Sequence, residues 1–541
     1  MLSVSEKKEY RSELFRHLDG IAIAPVAFAL KEKGVLDFIL KKNKLTLQDI
    51  TEAFTCNDGY LNVGIRMMAS QGWLHYEIDN ATNRIALSTN DRSAIAFEQI
   101  EKFADVVAFM KVSEAFHPRH FNLEQFSLLS RSFNKYKSGA YEPQSNDPLV
   151  REIETQIARQ VEGVLVGPIT VFLGMDGMFH KYFMEASFSA DEFHEDPVSF
   201  SKILDFFCHL GWFSKKNENY RFTDKGLFFA RRSSAYGVTV SYIPTFRRVD
   251  ELMFGNALIF KSSIPTSHEI HVDREMNVWG SGGAHSAYFK KIDEIIISLF
   301  NKPIEEQPKG ILDMGCGNGA FLIHLFEVIE QRTKRGTMLE EYPLFLVGVD
   351  YNRAALKVTR ANLVKADIWA KVIWGDIGDP HQLEQDIQGS YDIDLSDLLN
   401  VRTFLDHNRP WETPKNEFKE RVSTSTGAFA SNGKRLANIA VEQNLKEHFE
   451  NWKPYINKFG LLLIELHTID PNITAKNIGK TAATAYDATH GFSDQYILEL
   501  EVFKRVISEI GLETEPAHAA KFPDNELATV SINYLFEKRN S

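Results

Sequence analysis

Cysteine is scarce in this chain: Cys56, Cys208 and Cys316 are all it has, and they lie far apart. They form no Cys-x-x-Cys pair and no secreted-type disulfide framework, so a reducing cytoplasm is the expected location. Positive charge is short as well. The 61 Lys and Arg face 73 Asp and Glu, a net charge of −12, so the chain as a whole repels phosphate backbones and no nucleic-acid partner is expected. No run approaches the 18 or more apolar residues of a membrane span. The opening MLSVSEKKEYRSELFRHLDG alternates charged with apolar residues and lacks a signal-peptide core. Neither a membrane nor a secretory route is expected.

What is present is ordinary globular material: 44% hydrophobic residues, 25% charged residues and 40 Phe in 541 residues. That length exceeds one hydrophobic core, and about 150 residues per domain implies three or four units.

The stretch from Ile21 to Leu87 reads as helices, a glycine-marked turn and a polar hairpin: PVAFALKEKGVLDFIL, LTLQDITEAF, GYLNVGIRMMASQGWL, HYEIDNATNRIALS. Thr46 with Asp49 suits a helix start, Gly72 a helix end, and Asp79 to Asn83 a turn between short strands. The pattern returns between Val164 and Gly226. Pro25 aligns with Pro168 and Gly34 with Gly177 at one offset, and Gly72-Trp73 with Gly211-Trp212 at a slightly shorter one. Two diverged winged-helix-like modules are therefore expected, at 1–90 and 161–260, joined by a helical connector at 91–160. Their recognition-helix candidates, GYLNVGIRMMASQGW and PVSFSKILDFFCHLGW, carry one Arg and one Lys, too few for reading DNA. Packing or homodimerisation is the expected role.

The main boundary is expected near Phe260, with one domain over 261–541. Its centre is GILDMGCGNGAFLIHLFEVI: a short apolar strand, a turn with Gly315, Gly317 and Gly319, and an amphipathic helix. Glycines there let backbone N–H groups and a helix N-terminus approach a ligand. The run also satisfies the looser dinucleotide fingerprint, and the flanks decide between the two. Asp313 lies two residues before the turn, Asp350 ends LFLVGVD, and Asp376 follows KVIWGDI. A pyrophosphate disfavours Asp313, whereas a cationic sulfonium and ammonium tolerate it, so S-adenosylmethionine is the expected cofactor. Asp350 would take the ribose hydroxyls, Asp376 and Ile377 would lie beside the adenine, and Asp313 near the methionine portion. The expected fold class is α/β, a Rossmann-like C-terminal domain behind two mainly helical winged-helix-like modules.

Transfer of a sulfonium methyl needs an in-line nucleophile, a base where that nucleophile carries a proton, and exclusion of water. Candidate groups sit at the C-terminal ends of later strands, where ligands meet open sheets. NVRTFLDHNRPW, just past an expected fourth strand YDIDLSDLL, offers Asp406, His407 and Arg409. IELHTID offers Glu465 and His467, and YDATHGFSDQY offers Asp487, His490, Asp494 and Gln495. Such a set could hold a metal through nitrogen and oxygen; a metal-free general base, His407 or His467, is the competing reading. The long stretch 412–450 between fourth and fifth strands is expected to be a mobile cover over the acceptor.

The strand-turn-helix with its three acids and the closing TVSINYLFEK resemble class I S-adenosylmethionine-dependent methyltransferases, and the first module resembles the N-terminal region of small-molecule O-methyltransferases. The runs MNVWGSGGAHSAYF, VRTFLDHNRPW and ATHGFSDQY resemble the metal-dependent C-methyltransferase domains of polyketide synthase loading modules. That resemblance implies carbon methylation of an activated acyl or β-dicarbonyl group, such as a malonyl group on a carrier protein or a free small molecule. It implies a divalent metal, Fe or Mn, stabilising an enolate, with His467, His490 and Gln495 as ligands, or Asp406-His407 in place of one. Catalytic roles would then fall to His407, His467 and Asp406. An O-methyltransferase with a histidine base is one alternative, and a winged-helix regulator that senses the cofactor is another.

Overall fold

The computed structural model describes residues 2–113, 123–183, 187–261, 269–284, 286–416 and 421–538. Residues 262–268 just past the expected boundary, His285 of the glycine-rich run, and 417–420 of the expected cover lie outside these.

Strand β1 (Lys44–Thr46) pairs with β3 (Arg84–Ser88), which pairs with β2 (His75–Asp79), all antiparallel. Strands β4 (Phe188–Ser189), β6 (Asn219–Phe222) and β5 (Phe213–Lys216) repeat that order. The sequence punctuation works as read. Thr46 and Asp49 form a capping box at the start of Leu47–Ala53. Gly72 and Gly211, each at φ +77°, follow the helices Asp58–Ser70 and Pro197–His209, and only glycine takes that conformation without strain.

Two long helices, Val4–Glu32 and Pro148–Met175, join the modules, and each contains one of the aligned prolines. They cross in close contact: a Cβ on Gly20 would stand 2.2 Å from the Gln160 carbonyl oxygen, and one on Gly163 2.3 Å from that of His17. The helix Pro148–Met175 is long and apolar enough to cross a membrane, yet 83% of its most apolar window is buried within the protein. It also runs straight through the expected boundary at 160.

The C-terminal domain has an eight-stranded sheet. Strands β7 (Gly310–Met314), β8 (Phe345–Asp350), β9 (Lys371–Trp374), β10 (Leu398–Thr403) and β13 (Leu461–Leu466) run parallel. Strand β16 (Val530–Glu537) is antiparallel to β13 and pairs with β14 (Leu512–Thr514) and β15 (Ala520–Phe522), giving the order β14-β16-β13-β10-β7-β8-β9. This is the Rossmann-like class I methyltransferase plan, with separate apolar cores on the two sheet faces.

Two expectations change. The fourth strand is LLNVRT, not YDIDLSDLL: Asp392 adopts a left-handed φ of 56°, and Lys309 and Lys458 hold Asp397 in a short 3-10 turn before the strand begins. Aspartates at alternate positions disfavour a strand. The described part of 412–450 is built into the framework. Strands β11 (Phe429–Ser431) and β12 (Lys434–Leu436) form a hairpin against the first module, where Gly59 N–H donates to Gly433 O at 2.9 Å. The helix Asn438–Trp452 that follows buries Val441, Phe449 and Trp452 in the core.

Candidate active site

The turn after β7 has positive φ at Gly315 (78°), Gly317 (55°) and Gly319 (79°). Its backbone folds over Val349 and Asp350 at the end of β8: the N–H groups of Gly315 and Cys316 donate to Val349 O, and Gly317 N–H to Asp350 Oδ2 at 3.0 Å. Thr359 adds a bond to Gly317 O at 2.8 Å, and a Cβ on Gly319 would collide with its methyl at 2.9 Å. A bare backbone cradle results, with the N-terminus of the helix Ala320–Arg332 behind it.

Asp350 bonds to this cradle, Asp313 lies close to Asp350, and Asp376 follows the neighbouring strand β9. Asp350 uses its other oxygen to take Asn352 N–H at 2.8 Å, and Asp376 takes Gly378 N–H at 2.8 Å. Ile377 is buried, and its carbonyl accepts from Trp452 Nε1. Asp313 is 2% exposed and its Oδ2 has no hydrogen-bond partner. Burial and then the nearby Asp350 push Asp313 up to about 7. A buried carboxylate lacking a donor beside a backbone cradle fits a ligand bearing positive charge, and the cationic methionine end of S-adenosylmethionine carries it. Arg274, which sequence spacing did not single out, lies near enough to Asp350 to oppose the rise in its pKa, and is itself paired with Glu269.

The acceptor groups converge beyond the ends of β10 and β13. The N–H groups of His407 bond to Glu465, backbone N to Oε2 at 3.2 Å and ring Nδ1 to Oε1 at 2.5 Å. An ionised carboxylate only accepts, so Nδ1 carries a proton, and Nε2 has no hydrogen-bond partner among the described residues. The His490 ring lies 4.9 Å from that of His407, centroid to centroid. Its Nδ1 is 2.7 Å from Tyr486 O, which also only accepts, so its Nε2 is bare too. Burial, then His407, pushes His490 down to about 3 and keeps it neutral. Two imidazoles, each fixed through Nδ1 and with no hydrogen bond on Nε2 among the described residues, have the outer-shell support usual for metal-ligating histidines. Gln495 joins this region through its N–H on His490 O at 3.0 Å, while its side-chain Nε2 donates to Tyr242 OH at 3.3 Å.

The other candidates are engaged elsewhere, although Asp406 keeps a buried Oδ2 without a hydrogen-bond partner. His467 is buried with Nδ1 on Leu498 O and Nε2 accepting from Ser531 OH at 2.7 Å, so neither nitrogen is available as it stands. Burial pushes it down to about 4. Asp406 accepts from Arg402 at 2.5 Å and faces His448 Nε2 at 2.8 Å; burial works against its charge, but these two partners hold it down to about 2. It stabilises the Arg402 cation, which stacks 3.9 Å from Trp452. Arg409 spends its N–H groups on Asn444 Oδ1 and the carbonyls of Asp406 and Val441. Asp487 pairs with the buried Arg66, and Asp494 accepts from Tyr60 at 2.8 Å. Tyr60 and Arg66 belong to the first module and Tyr242 follows the second wing, so both modules wall this region.

Family models match the chain in three parts: an AprA MT2-like domain over residues 269–533, an AprA winged helix domain over 162–256 and an AprA N-terminal domain over 10–76. The chain belongs to the AprA-like methyltransferases. As a member of that family it is an S-adenosylmethionine-dependent methyltransferase. No curated protein matches it. Similar solved structures include mitomycin 7-O-methyltransferase (10% identity, 71% of this chain and 98% of that one, TM-score 0.40). An O-methyltransferase family protein from Burkholderia thailandensis follows (10% identity, 70% and 95%, TM-score 0.38). So does the CurJ carbon methyltransferase (10% identity, 81% and 98%, TM-score 0.31). At such low identity the AprA-like chain takes no acceptor from them.

Proposed function

We propose that this methyltransferase transfers the methyl group to carbon, on an activated acyl or β-dicarbonyl acceptor of polyketide type, either free or borne by a carrier protein. The observation that supports this reading is the pairing of His407 with His490, whose ring centroids lie 4.9 Å apart and whose rings are each held through Nδ1, with the Gln495 N–H on the His490 carbonyl. His407 and His490, with Gln495, would hold a divalent metal, Fe or Mn; His407 thus takes the place that resemblance assigned to His467. Such a cation would supply Lewis acidity to the acceptor's carbonyl groups, which would make the carbon beside them acidic. The chain's own residues do the rest. Glu465 and the Tyr486 carbonyl orient the two imidazoles, the buried surroundings limit access of water, and the glycine cradle with Asp350 would hold the methyl donor. The acidic carbon gives its proton to a water or buffer base on forming the enolate; as the new carbon–carbon bond forms, the carbon–sulfur bond breaks and its electron pair stays on S-adenosylhomocysteine.

One observation favours a second reading. Glu465 holds Nδ1 of His407 at 2.5 Å, the arrangement of a carboxylate-oriented general base, which would take a hydroxyl proton on Nε2 during O-methylation. Turnover with methyl-labelled cofactor before and after metal chelation separates the two. Carbon-bound label that disappears on chelation supports the leading reading; oxygen-bound label made without metal rejects it.

A further inference from the structure

Apolar side chains are left in water along the segment that runs from the end of β8 through the helix Arg353–Lys365 to the edge strand β9. Trp369 is 90% and Val364 79% exposed, and Tyr351, Val358 and Trp374 are exposed around them. Exposed apolar groups clustered in this way mark an interaction surface. The same stretch, residues 351–371, carries Arg353, Lys357, Arg360, Lys365 and Lys371 against the single acid Asp367, in a chain whose net charge is −12. All five basic residues are exposed. Among the described residues none of them makes an ion pair with a carboxylate. In the helix Arg353–Lys365 the residues Arg353, Lys357, Arg360 and Val364 follow a spacing of four, three and four, which places them on one stripe.

The position of this face matters. Tyr351 follows Asp350 and Trp374 precedes Gly375-Asp376, so its upper rim lies beside the cofactor cradle. The two rings touch at 5.4 Å, and Trp374 Nε1 donates to Tyr351 O at 2.9 Å. We infer that this basic, aromatic face docks an acidic carrier protein that delivers the acyl acceptor, an inference that rests on the carrier-borne form of the proposed function. Charge selects the partner. In a two-fold contact through this face a second copy of this chain would bring five cations against five more with only one Asp367 on each side, and Arg360 Nη2 caps Val372 O at 2.7 Å, which obstructs strand addition at the β9 edge. A lipid surface calls for an apolar face separated from the basic one, whereas Val364 shares its stripe with three cations. An acidic protein surface satisfies cations and aromatics together.

The test compares two substrates, a malonyl-loaded acyl carrier protein and the malonyl thioester of N-acetylcysteamine, in wild type, in the double variant Lys357→Glu/Lys365→Glu and in Trp369→Ala. Both variants should keep cofactor affinity, thermal midpoint and rate on the free thioester. On the carrier substrate KM should rise about tenfold or more with little change in kcat, and the salt dependence of kcat/KM should flatten. An unchanged KM for the carrier, an equal loss on both substrates, or loss only of phosphatidylserine-vesicle binding overturns the inference. Where wild type methylates neither substrate, the acyl-acceptor reading itself fails. Calorimetric titration with the carrier protein then decides the docking face: salt-sensitive binding that the double variant loses supports it, and equal binding by both overturns it.

Discussion

His407 and Glu465 meet across the ends of neighbouring parallel strands, Nδ1 to Oε1 at 2.5 Å, with both side chains buried. That contact determines which ring nitrogen of His407 is left for chemistry. Glu465→Gln offers an amide in place of a pure acceptor and permits the wrong tautomer. We expect kcat to fall by about 10–100-fold, with the cofactor dissociation constant unchanged; full turnover in this variant would show that Glu465 does not orient the imidazole.

Metal removal should separate the acceptor site from the cofactor site. Rigorous chelation should abolish turnover while calorimetry still detects S-adenosylmethionine binding, and added Fe or Mn should restore activity. His490→Ala and His407→Ala should each lower metal content and turnover together. His467→Ala should leave metal content intact, because both nitrogens of His467 are already bonded. Stoichiometric metal in the His407 and His490 variants would remove these residues from the ligand set.

Asp313 predicts a pH effect on cofactor affinity. Its pKa is pushed up to about 7 by burial and by Asp350. A cationic ligand favours the ionised carboxylate and lowers that pKa on binding. Affinity should therefore rise with pH up to about 7 and level off above it, with protons released on binding. The effect on folding has the opposite sign. A carboxyl raised above its unfolded value of about 3.9 binds extra protons when folded, so its contribution to stability is present at low pH and is lost as pH rises through 7. Calorimetry in buffers of different ionisation enthalpy reads the proton release. Flat affinity between pH 6 and 8 would contradict the placement of Asp313 beside the methionine end.

Arg66 ties the first module to the methyltransferase core, pairing with Asp487 and donating to Ile469 O at 2.7 Å. Arg66→Met leaves the buried Asp487 without its cation, a loss of about 3–5 kcal/mol, read as a lower thermal midpoint. The double variant Arg66→Met/Asp487→Leu should recover most of that loss. No recovery would mean that Arg66 acts through its carbonyl contacts and not through the ion pair.

Much of this molecule was legible in one dimension because the relevant physics is local. Gly315, Gly317 and Gly319 announce a turn that needs positive φ, and the apolar runs before Asp313 and Asp350 announce strands ending at a ligand site. Thr46 with Asp49 announces a helix start, and the recurrence of proline and Gly-Trp announces a repeated module. Family, cofactor and fold class follow from such short-range signals. The acceptor site does not, because its members come from distant segments and their roles depend on which atoms burial leaves without partners. His467 and His407 look alike as sequence. Only packing spends both nitrogens of His467 on Leu498 and Ser531 while leaving Nε2 of His407 bare beside His490. Tyr60, Arg66 and Tyr242 gave no local sign of function, since their partners stand hundreds of residues away. Local chemistry and periodicity thus determined the family, the fold class and the methyl donor. The tertiary structure alone decided which imidazole nitrogens are left without partners among the described residues, because hydrogen-bond saturation in a buried site is a property of neighbours in space.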